Sequence, residues 1–133
     1  MTLNFWRRCN AKNFSVTWYG GEPLLAKEII WSLSEKFSVD YDAFIITNAS
    51  LLDDADVEQF KHYKINGAQI TLDGVKEVHD SRRRCVTGES TFDRLIDRVN
   101  LLLDNGLTVI VRINVDKDNI ARVAENFHLV AAT

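Results

Sequence analysis

The sequence contains few of the residues that mark disulfide-rich, fibrous or membrane proteins. Among 133 residues there are two cysteines, one proline and six glycines. Cys9 and Cys85 are too few for a disulfide scaffold or for a metal site made only of thiolates, and we interpret them as reduced thiols. No apolar run reaches the ~18 residues of a membrane-spanning helix, and residues 1–10 lack the apolar core of a signal peptide. We therefore expect a cytoplasmic chain with no membrane partner.

Neither sign of charge dominates the chain. It has 16 basic and 19 acidic residues and a net charge of −3. Domains that bind nucleic acid through its phosphates are usually strongly basic, so we expect no nucleic-acid partner. Hydrophobic residues make up 46% of the chain and charged residues 26%, a balance that is typical of a globular protein and excludes an intrinsically disordered one. The length suits a single domain over residues 1–133.

Short apolar runs alternate with amphipathic segments along the chain. We predict strands over residues 15–19, 43–47, 68–72 and 107–115, with a helix after each strand. Strands that alternate with helices are joined by right-handed crossovers and form a parallel sheet. The pattern therefore predicts an α/β fold of four strand–helix units, (βα)4, which amounts to half of an eightfold barrel or most of a small open sheet.

The helix boundaries are predicted from caps and stops. Pro23 suits the first turn of the first helix, and apolar residues follow it at every fourth position, namely Leu25, Ile29, Leu33 and Phe37. The second helix is predicted to begin at Asp53 or Asp54 and to end at Asn66-Gly67. The third is predicted to begin at Ser90 or Thr91 and to end at Asn105-Gly106, and the last to begin at Asp118 or Asn119.

The candidate site lies where the strands end. Ligands of parallel α/β proteins bind at the carboxyl ends of the strands, and the connections on the opposite side are short here. We call the carboxyl end of each strand, with the residues that follow it, a strand exit. The candidate residues are Gly20, Gly21, Glu22 and Pro23 at the first exit, Thr47 and Asn48 at the second, Thr71 and Asp73 at the third, and Arg112 and Asn114 at the fourth.

The first exit favours a cationic ligand. Gly20 and Gly21 carry no Cβ, so a ligand can reach the backbone, where carbonyl groups accept hydrogen bonds from an ammonium group. Glu22 adds a carboxylate that would repel phosphate. The alternative is a tight turn that needs glycine for its geometry alone.

A long connection follows the third strand. Residues 74–90 exceed the roughly 2–6 residues of common strand-to-helix loops, and they include Arg82, Arg83 and Arg84. One of these arginines could bind a carboxylate or a phosphate through two parallel N–H bonds. The alternative is a solvated basic surface loop.

Two pairs of polar residues share a strand face because their members lie two residues apart. Thr71 and Asp73 offer a hydroxyl and a carboxylate, which suit hydrogen bonding to sugar hydroxyls, although Asp73 could instead cap the following loop. Arg112 and Asn114 repeat the spacing. A buried Arg112 would need an anionic partner, either a ligand carboxylate or Asp73.

Five segments together resemble the radical S-adenosylmethionine (SAM) superfamily, most closely the sulfatase-maturase-like branch that modifies peptides and proteins and carries a SPASM extension. They occur in order and at family-like spacing over most of residues 15–119. Ala49 stands where the family usually has glycine, and Val75 where proline is common. The segments are VTWYGGEPLL (16–25), similar to the GGEP motif, ITNASLL (46–52), similar to the TNG strand end, ITLDGVKEVHDSRR (70–83), GESTFDRLID (88–97) and VRINVDKDN (111–119).

The resemblance implies a partial TIM-type barrel with a SAM site at the strand exits. In the family a reduced 4Fe-4S cluster cleaves SAM, and the resulting radical removes a hydrogen atom from the substrate, a peptide or protein in this branch. We expect residues 20–23 and Arg83 to face one shared cavity. The implied contacts are the backbone of Gly20, Gly21 and Glu22, with Pro23, for the SAM ammonium group, Thr71 for SAM, Arg83 for its carboxylate, and Thr47, Asn48, Asp73, Arg112 and Asn114 for the cleft lining.

One family motif is missing from these 133 residues. The CxxxCxxC motif that binds the cluster belongs upstream of GGEP, where Cys9 stands alone. We therefore expect no cluster, metal ligand or catalytic residue in this chain, and we interpret it as an internal fragment of a radical SAM enzyme that is inactive alone. Unpaired sheet edges are expected to cause self-association. The alternatives are a non-catalytic binding or scaffold domain and an unrelated parallel α/β phosphate-binding enzyme fragment.

Overall fold

The computed structural model describes residues 13–37, 40–85 and 88–120. Within these residues the chain forms one four-stranded sheet in the order β1-β2-β3-β4, and each neighbouring pair of strands is parallel. This arrangement confirms the predicted α/β class. The strands are β1 (Asn13–Trp18), β2 (Asp40–Thr47), β3 (Ile65–Leu72) and β4 (Thr108–Ile113).

Helices follow the first three strands. A 3-10 turn (Pro23–Ala26) leads into α1 (Lys27–Ser34), and α2 (Asp54–His62) follows β2. Two helices follow β3, namely α3 (Lys76–Arg82) and α4 (Thr91–Asp104). None of the described helices is long and apolar enough to cross a membrane.

The core lies on the two central strands. Burial largely alternates along β2 and β3, so one face of these strands is buried while residues of the other are exposed or partly buried. The fully buried residues include Ala43 and Ile45 on β2, Ile65, Ala68 and Ile70 on β3, Phe60 on α2 and Leu102 on α4.

Several predicted helix boundaries are confirmed. Asp53 caps α2 and exchanges hydrogen bonds with Asp56 in a capping box. Ser90 caps α4 by accepting a hydrogen bond from the backbone N–H of Asp93. The helix ends at Asn105-Gly106, where Gly106 has a φ of 75°.

The predicted stop at Asn66-Gly67 is wrong. The second helix, α2, ends at His62, and both residues of the pair lie inside β3. A Cβ on Gly67 would lie 2.2 Å from the backbone oxygen of Thr108 and 2.6 Å from the ring of Phe44. Glycine at this position therefore permits the close approach of β4 to β3 and does not end a helix.

The apolar spacing predicted for the first helix matches its buried face only in part. Leu25 is 77% exposed and Ile29 is 62% exposed, whereas Leu24 and Ile30 are buried. The helix begins with a 3-10 turn of about 3 residues per turn, which shifts its apolar face relative to a helix of about 3.6. Leu33 and Phe37 are partly buried.

The segment over residues 74–90 is not a continuous loop, because α3 lies within it. This short helix has no side-chain cap and no repeated apolar stripe, so the sequence pattern did not indicate it. The predicted last helix lies mostly outside the described residues.

Candidate functional site

Glu22 joins the first strand exit to the second. Its Oε1 accepts hydrogen bonds from the backbone N–H of Leu24 at 3.1 Å and from the hydroxyl of Thr47 at 2.7 Å. Its Oε2 accepts from the backbone N–H of Asn48 at 2.9 Å. The carboxylate therefore caps the 3-10 turn and holds the two exits together, in addition to any contact with a ligand.

The second exit turns sharply after Thr47. The Oγ1 of Thr47 accepts from the backbone N–H of Ala49 at 3.0 Å, and the Oδ1 of Asn48 accepts from that of Ser50 at 2.9 Å. Ala49 has a φ of 58°, in the left-handed region where glycine is favoured over other residues. This backbone conformation explains why a glycine would suit the position.

Asp73 is the centre of the third and fourth exits. Its buried carboxylate accepts hydrogen bonds from Nε of Arg83 at 2.5 Å and from Nδ2 of Asn114 at 2.7 Å. Its backbone N–H donates to Nδ1 of His79 at 3.2 Å, and its backbone carbonyl accepts from Nδ2 of Asn119 at 3.3 Å. Both carboxylate oxygens are engaged, so Asp73 holds Arg83 and Asn114 in place.

Burial and hydrogen bonding have opposite effects on the pKa of Asp73. Burial raises this pKa, but hydrogen bonds from Arg83 and Asn114, with the positive charge of Arg83, outweigh it and hold the pKa below 3.8. Burial lowers the pKa of His79 below 6.5, against the attraction of the Asp73 carboxylate. At neutral pH Asp73 is therefore ionised and His79 is neutral, with its proton on Nε2 because Nδ1 accepts a hydrogen bond.

Asp80 attaches α3 to the N-terminus of α4. Its carboxylate accepts from the hydroxyl of Ser90 at 2.8 Å, the hydroxyl of Thr91 at 3.0 Å and the backbone N–H of Phe92 at 2.9 Å. Burial raises the pKa of Asp80, but these bonds outweigh it and lower the pKa below 3.8. The Oγ1 of Thr91 also lies 2.6 Å from the carbonyl oxygen of Arg83, which shares the single hydroxyl proton with Asp80, so the backbone of Arg83 lies next to the start of α4.

A cavity of about 350 Å³ lies between the second exit and the segment that joins α3 to α4. Two candidate residues, Asn48 and Arg83, line it, and residues 20–23 do not. The expectation that residues 20–23 share a cavity with Arg83 is therefore not met by this cavity. The first exit is connected to the cavity lining by the hydrogen bond from the backbone N–H of Asn48 to the carboxylate of Glu22.

Thr71 and Arg112 are neighbours in the register of β3 and β4, so their side chains lie side by side on one face of the sheet. Thr71 is partly buried, whereas Arg112 is exposed. The suggestion that Arg112 is buried and paired with Asp73 is therefore wrong. Arg83 forms the ion pair with that carboxylate, and Arg112 is exposed to solvent. Pro23 lies in the first turn of its helix, as predicted.

Gly20 and Gly21 are exposed and open to solvent. A Cβ built on either residue would meet no heavy atom of the described residues within 4 Å, and neither has a positive φ. The turn therefore does not require glycine for its own geometry. The space above this backbone is available to a ligand.

Two buried residues of the Asp73 cluster were not predicted as site residues. His79 is 1% exposed and Asn119 is 2% exposed. Asn119 also donates to the carbonyl of Asn114 at 2.6 Å and accepts from the backbone N–H of Asp116 at 2.9 Å. The sequence signal for Asn119 is DKDN (116–119), a cluster typical of turns that also contains the predicted helix start at Asp118 or Asn119.

Within residues 13–37, 40–85 and 88–120, no group of three or more His, Cys, Asp or Glu side chains could hold a metal ion. Cys85 lines the cavity, and Cys9 lies outside the described residues. A 4Fe-4S cluster is held by several cysteine thiolates, which the described residues do not bring together. The expected lack of a cluster in this chain stays a prediction.

Comparisons with known proteins match nearly the whole chain. The family model of the Radical SAM superfamily matches residues 7–130. The chain is 24% identical over 111 residues to the Fe-coproporphyrin III synthase of Methanosarcina barkeri and 30% identical over 98 residues to the serine-type anaerobic sulfatase-maturating enzyme of Bacteroides thetaiotaomicron. These matches cover 84% and 68% of this chain but 27% and 23% of those proteins, so the chain spans about a quarter of their length.

Solved structures share the fold. Native anSMEcpe with bound AdoMet and Kp18Cys peptide matches with a TM-score of 0.77 and 21% identity, over 91% of this chain and 36% of that chain. Native anSMEcpe with bound AdoMet matches with a TM-score of 0.76 and 22% identity, over 90% and 35%. The parallel sheet is therefore arranged as in part of those larger proteins.

Proposed function

The chain belongs to the radical SAM superfamily and is related to anaerobic sulfatase-maturating enzymes, and on this basis we propose that its strand exits bind the methionine portion of SAM in an enzyme that modifies peptides or proteins. The bound AdoMet and peptide of anSMEcpe support this proposal. Because the chain spans 36% of that protein, we propose that the complete reaction needs segments beyond these 133 residues.

The observation that carries the proposal is the open backbone at Gly20 and Gly21. The fold does not need glycine there, since neither steric crowding nor a positive φ requires it. Both residues are exposed and carry no Cβ, so an ammonium group such as that of the methionine portion of SAM can approach their backbone carbonyl groups. The residues present therefore fit this end of the cofactor.

Arg83 fits the carboxylate of the same methionine portion. Its Nε donates to Asp73, which orients the guanidinium group. No hydrogen bond to another described residue engages its terminal nitrogens, so both are available as donors. When bound beside a 4Fe-4S cluster, SAM would supply radical chemistry, and the residues of this chain would bind and orient it.

Binding of SAM is expected to shift the amide signals of Gly20 and Gly21 and the Nε–H signal of Arg83 in NMR spectra of the nitrogen-15-labelled chain, in a saturable way. In Gly21→Ala the added methyl group occupies the space over the backbone, so we expect binding to weaken about tenfold, which corresponds to ~1.4 kcal/mol.

Thermal unfolding provides the control for Gly21→Ala, and its midpoint is expected to stay within about 3 °C of the original chain. Inorganic phosphate in place of SAM should leave the glycine signals unchanged. Saturable phosphate binding at the first exit would contradict the proposal and favour a phosphate-binding α/β protein.

We also propose that this chain alone is catalytically inactive. Reconstitution with iron and sulfide under reducing conditions is expected to yield neither a stable 4Fe-4S cluster nor SAM cleavage, because the sequence has two distant cysteines and no CxxxCxxC motif. A maturase that contains the motif, treated in parallel, serves as the positive control. A stable cluster with SAM cleavage in the 133-residue chain would overturn this part of the proposal.

A further inference from the structure

The cavity beside Arg83 is lined by two further arginines that the proposed SAM contacts do not use. Three arginines line it, Arg83, Arg84 and Arg94, together with the carboxylate of Glu89. Asp73 balances the charge of Arg83, so the other two arginines exceed the negative charge of Glu89. The volume of about 350 Å³ falls within the range of ~300–1,000 Å³ that is usual for small-ligand sites.

Arg84 and Arg94 have no carboxylate partner within the described part of the chain, and neither donates a hydrogen bond to another described residue. The adjacent arginines differ. Arg82 pairs with both carboxylate oxygens of Asp116 at 2.7 and 3.0 Å, and Arg83 pairs with Asp73. The guanidinium groups of Arg84 and Arg94 are therefore available to an anion, and their planar donors suit a carboxylate.

The other polar groups of the cavity favour a ligand that also carries donors. The Ser90 hydroxyl donates to Asp80, and the single proton of the Thr91 hydroxyl is directed at Asp80 or at the carbonyl of Arg83, so towards the cavity both hydroxyls offer lone pairs and no proton. Glu89 is a further acceptor. A peptide supplies N–H donors for these acceptors next to a side-chain carboxylate for the arginines.

We propose that this cavity binds an acidic side chain of a peptide, whose carboxylate is held by Arg84 and Arg94 while a peptide N–H donates to Glu89. Arg84 and Arg94 are not among the proposed SAM contacts, although Asn48 and Arg83 line the same cavity. The two proposals can therefore fail separately, and the test below contains no SAM.

The probe is acetyl-Glu-Glu-Glu-amide, titrated into the nitrogen-15-labelled 133-residue chain. The Nε–H signals of Arg84 and Arg94 are expected to shift and saturate. The glutamine analogue, acetyl-Gln-Gln-Gln-amide, is expected to shift them at least about tenfold less at equal concentration. The double variant Arg84→Gln/Arg94→Gln is expected to bind the acidic probe at least about tenfold more weakly, judged from backbone amide signals around the cavity.

Lys36→Gln is the matched control, since it removes one positive charge from an exposed residue outside the cavity. Its affinity for the acidic probe is expected to be unchanged. Thermal unfolding confirms that each variant is folded, and the single variants Arg84→Gln and Arg94→Gln replace the double variant if it is not. The proposal is overturned if Lys36→Gln weakens binding equally, if the glutamine peptide binds equally well, if inorganic phosphate saturates the same arginine signals, or if none of these probes binds.

Discussion

Gly67→Ala is expected to destabilise the protein by about 3 kcal/mol or more, a large effect for one added methyl group. The new Cβ would lie 2.2 Å from the backbone oxygen of Thr108 and 2.6 Å from the Phe44 ring. A ring can rotate, but the Thr108 oxygen belongs to β4, which pairs with Gly67 in the sheet register. Relief of the collision therefore requires β4 to move away from β3. Chemical denaturation followed by circular dichroism measures the loss.

Gly20→Ala is the matched control, because it adds the same methyl group at a glycine with open surroundings. Its free energy of unfolding is expected to change by less than about 1 kcal/mol, with the reduced flexibility of the unfolded chain favouring a small gain. Equal stability of Gly67→Ala and Gly20→Ala would show that β3 and β4 do not approach each other as described.

Asp73→Asn is expected to cost about 2 kcal/mol of stability and to release Arg83. The substitution keeps the size of the side chain but removes the charge that pairs with Nε of Arg83 at 2.5 Å. Asp73 is buried, while the Arg83 side chain is 37% exposed, so solvent reduces the penalty for the arginine left behind. Denaturant unfolding measures the stability, and the NMR signal of the Arg83 Nε–H reports the lost pair.

The same variant should change the response to acid. The folded pKa of Asp73 lies below 3.8, so its contribution to stability is present above that pH and is lost as pH falls through the folded pKa. The folded pKa of His79 lies below 6.5, so its contribution is lost from about that pH downward. Asp73→Asn is therefore expected to flatten the stability profile below pH 3.8 and to keep the loss that begins near pH 6.5.

Asp116→Asn supplies the control for both measurements. Asp116 pairs with the neighbouring Arg82, but the Asp116 carboxylate is far more exposed to solvent than that of Asp73, so the loss is expected to stay below about 1 kcal/mol. The asparagine oxygen still accepts from the backbone N–H groups of the following turn. If the two variants lost equal stability, the buried Asp73 carboxylate would contribute no more to stability than the exposed Asp116 carboxylate, and the described role of Asp73 at the third and fourth exits would be wrong.

The four parallel strands were predictable because each strand has its own apolar run and helices separate them, yet two identical Asn-Gly pairs behave differently. At residues 105–106 the pair ends α4, and Gly106 adopts the left-handed conformation that a helix stop needs. At residues 66–67 the pair lies within β3, since Gly67 faces Thr108, which is far away in the sequence. The turn before that strand uses Lys64 at a φ of 53° instead. A local pattern cannot distinguish a glycine needed for φ from one needed for close packing.

The position of the site was also predictable, since the strand exits of a parallel sheet meet at one edge. Which side chains pair with each other within the site was not predictable from the sequence. The sequence offered Asp73 as an anion for Arg112, but α3 brings Arg83 back to that carboxylate. The α3 helix is short and lacks an apolar stripe, so nothing in the local pattern indicated which guanidinium group would reach Asp73. His79 and Asn119 were missed for a similar reason, because burial of a single polar residue depends on distant contacts.

The bonds around Asp73 also imply an order of assembly during folding. Those that join Asp73 to His79 and Arg83 span 6 and 10 residues, so they close short loops at low entropic cost. Those from Asn114 and Asn119 span 41 and 46 residues and can form only after β4 docks. The contacts of Asp73 with His79 and Arg83 are therefore expected to form first, and those from Asn114 and Asn119 complete the cluster once β4 has docked.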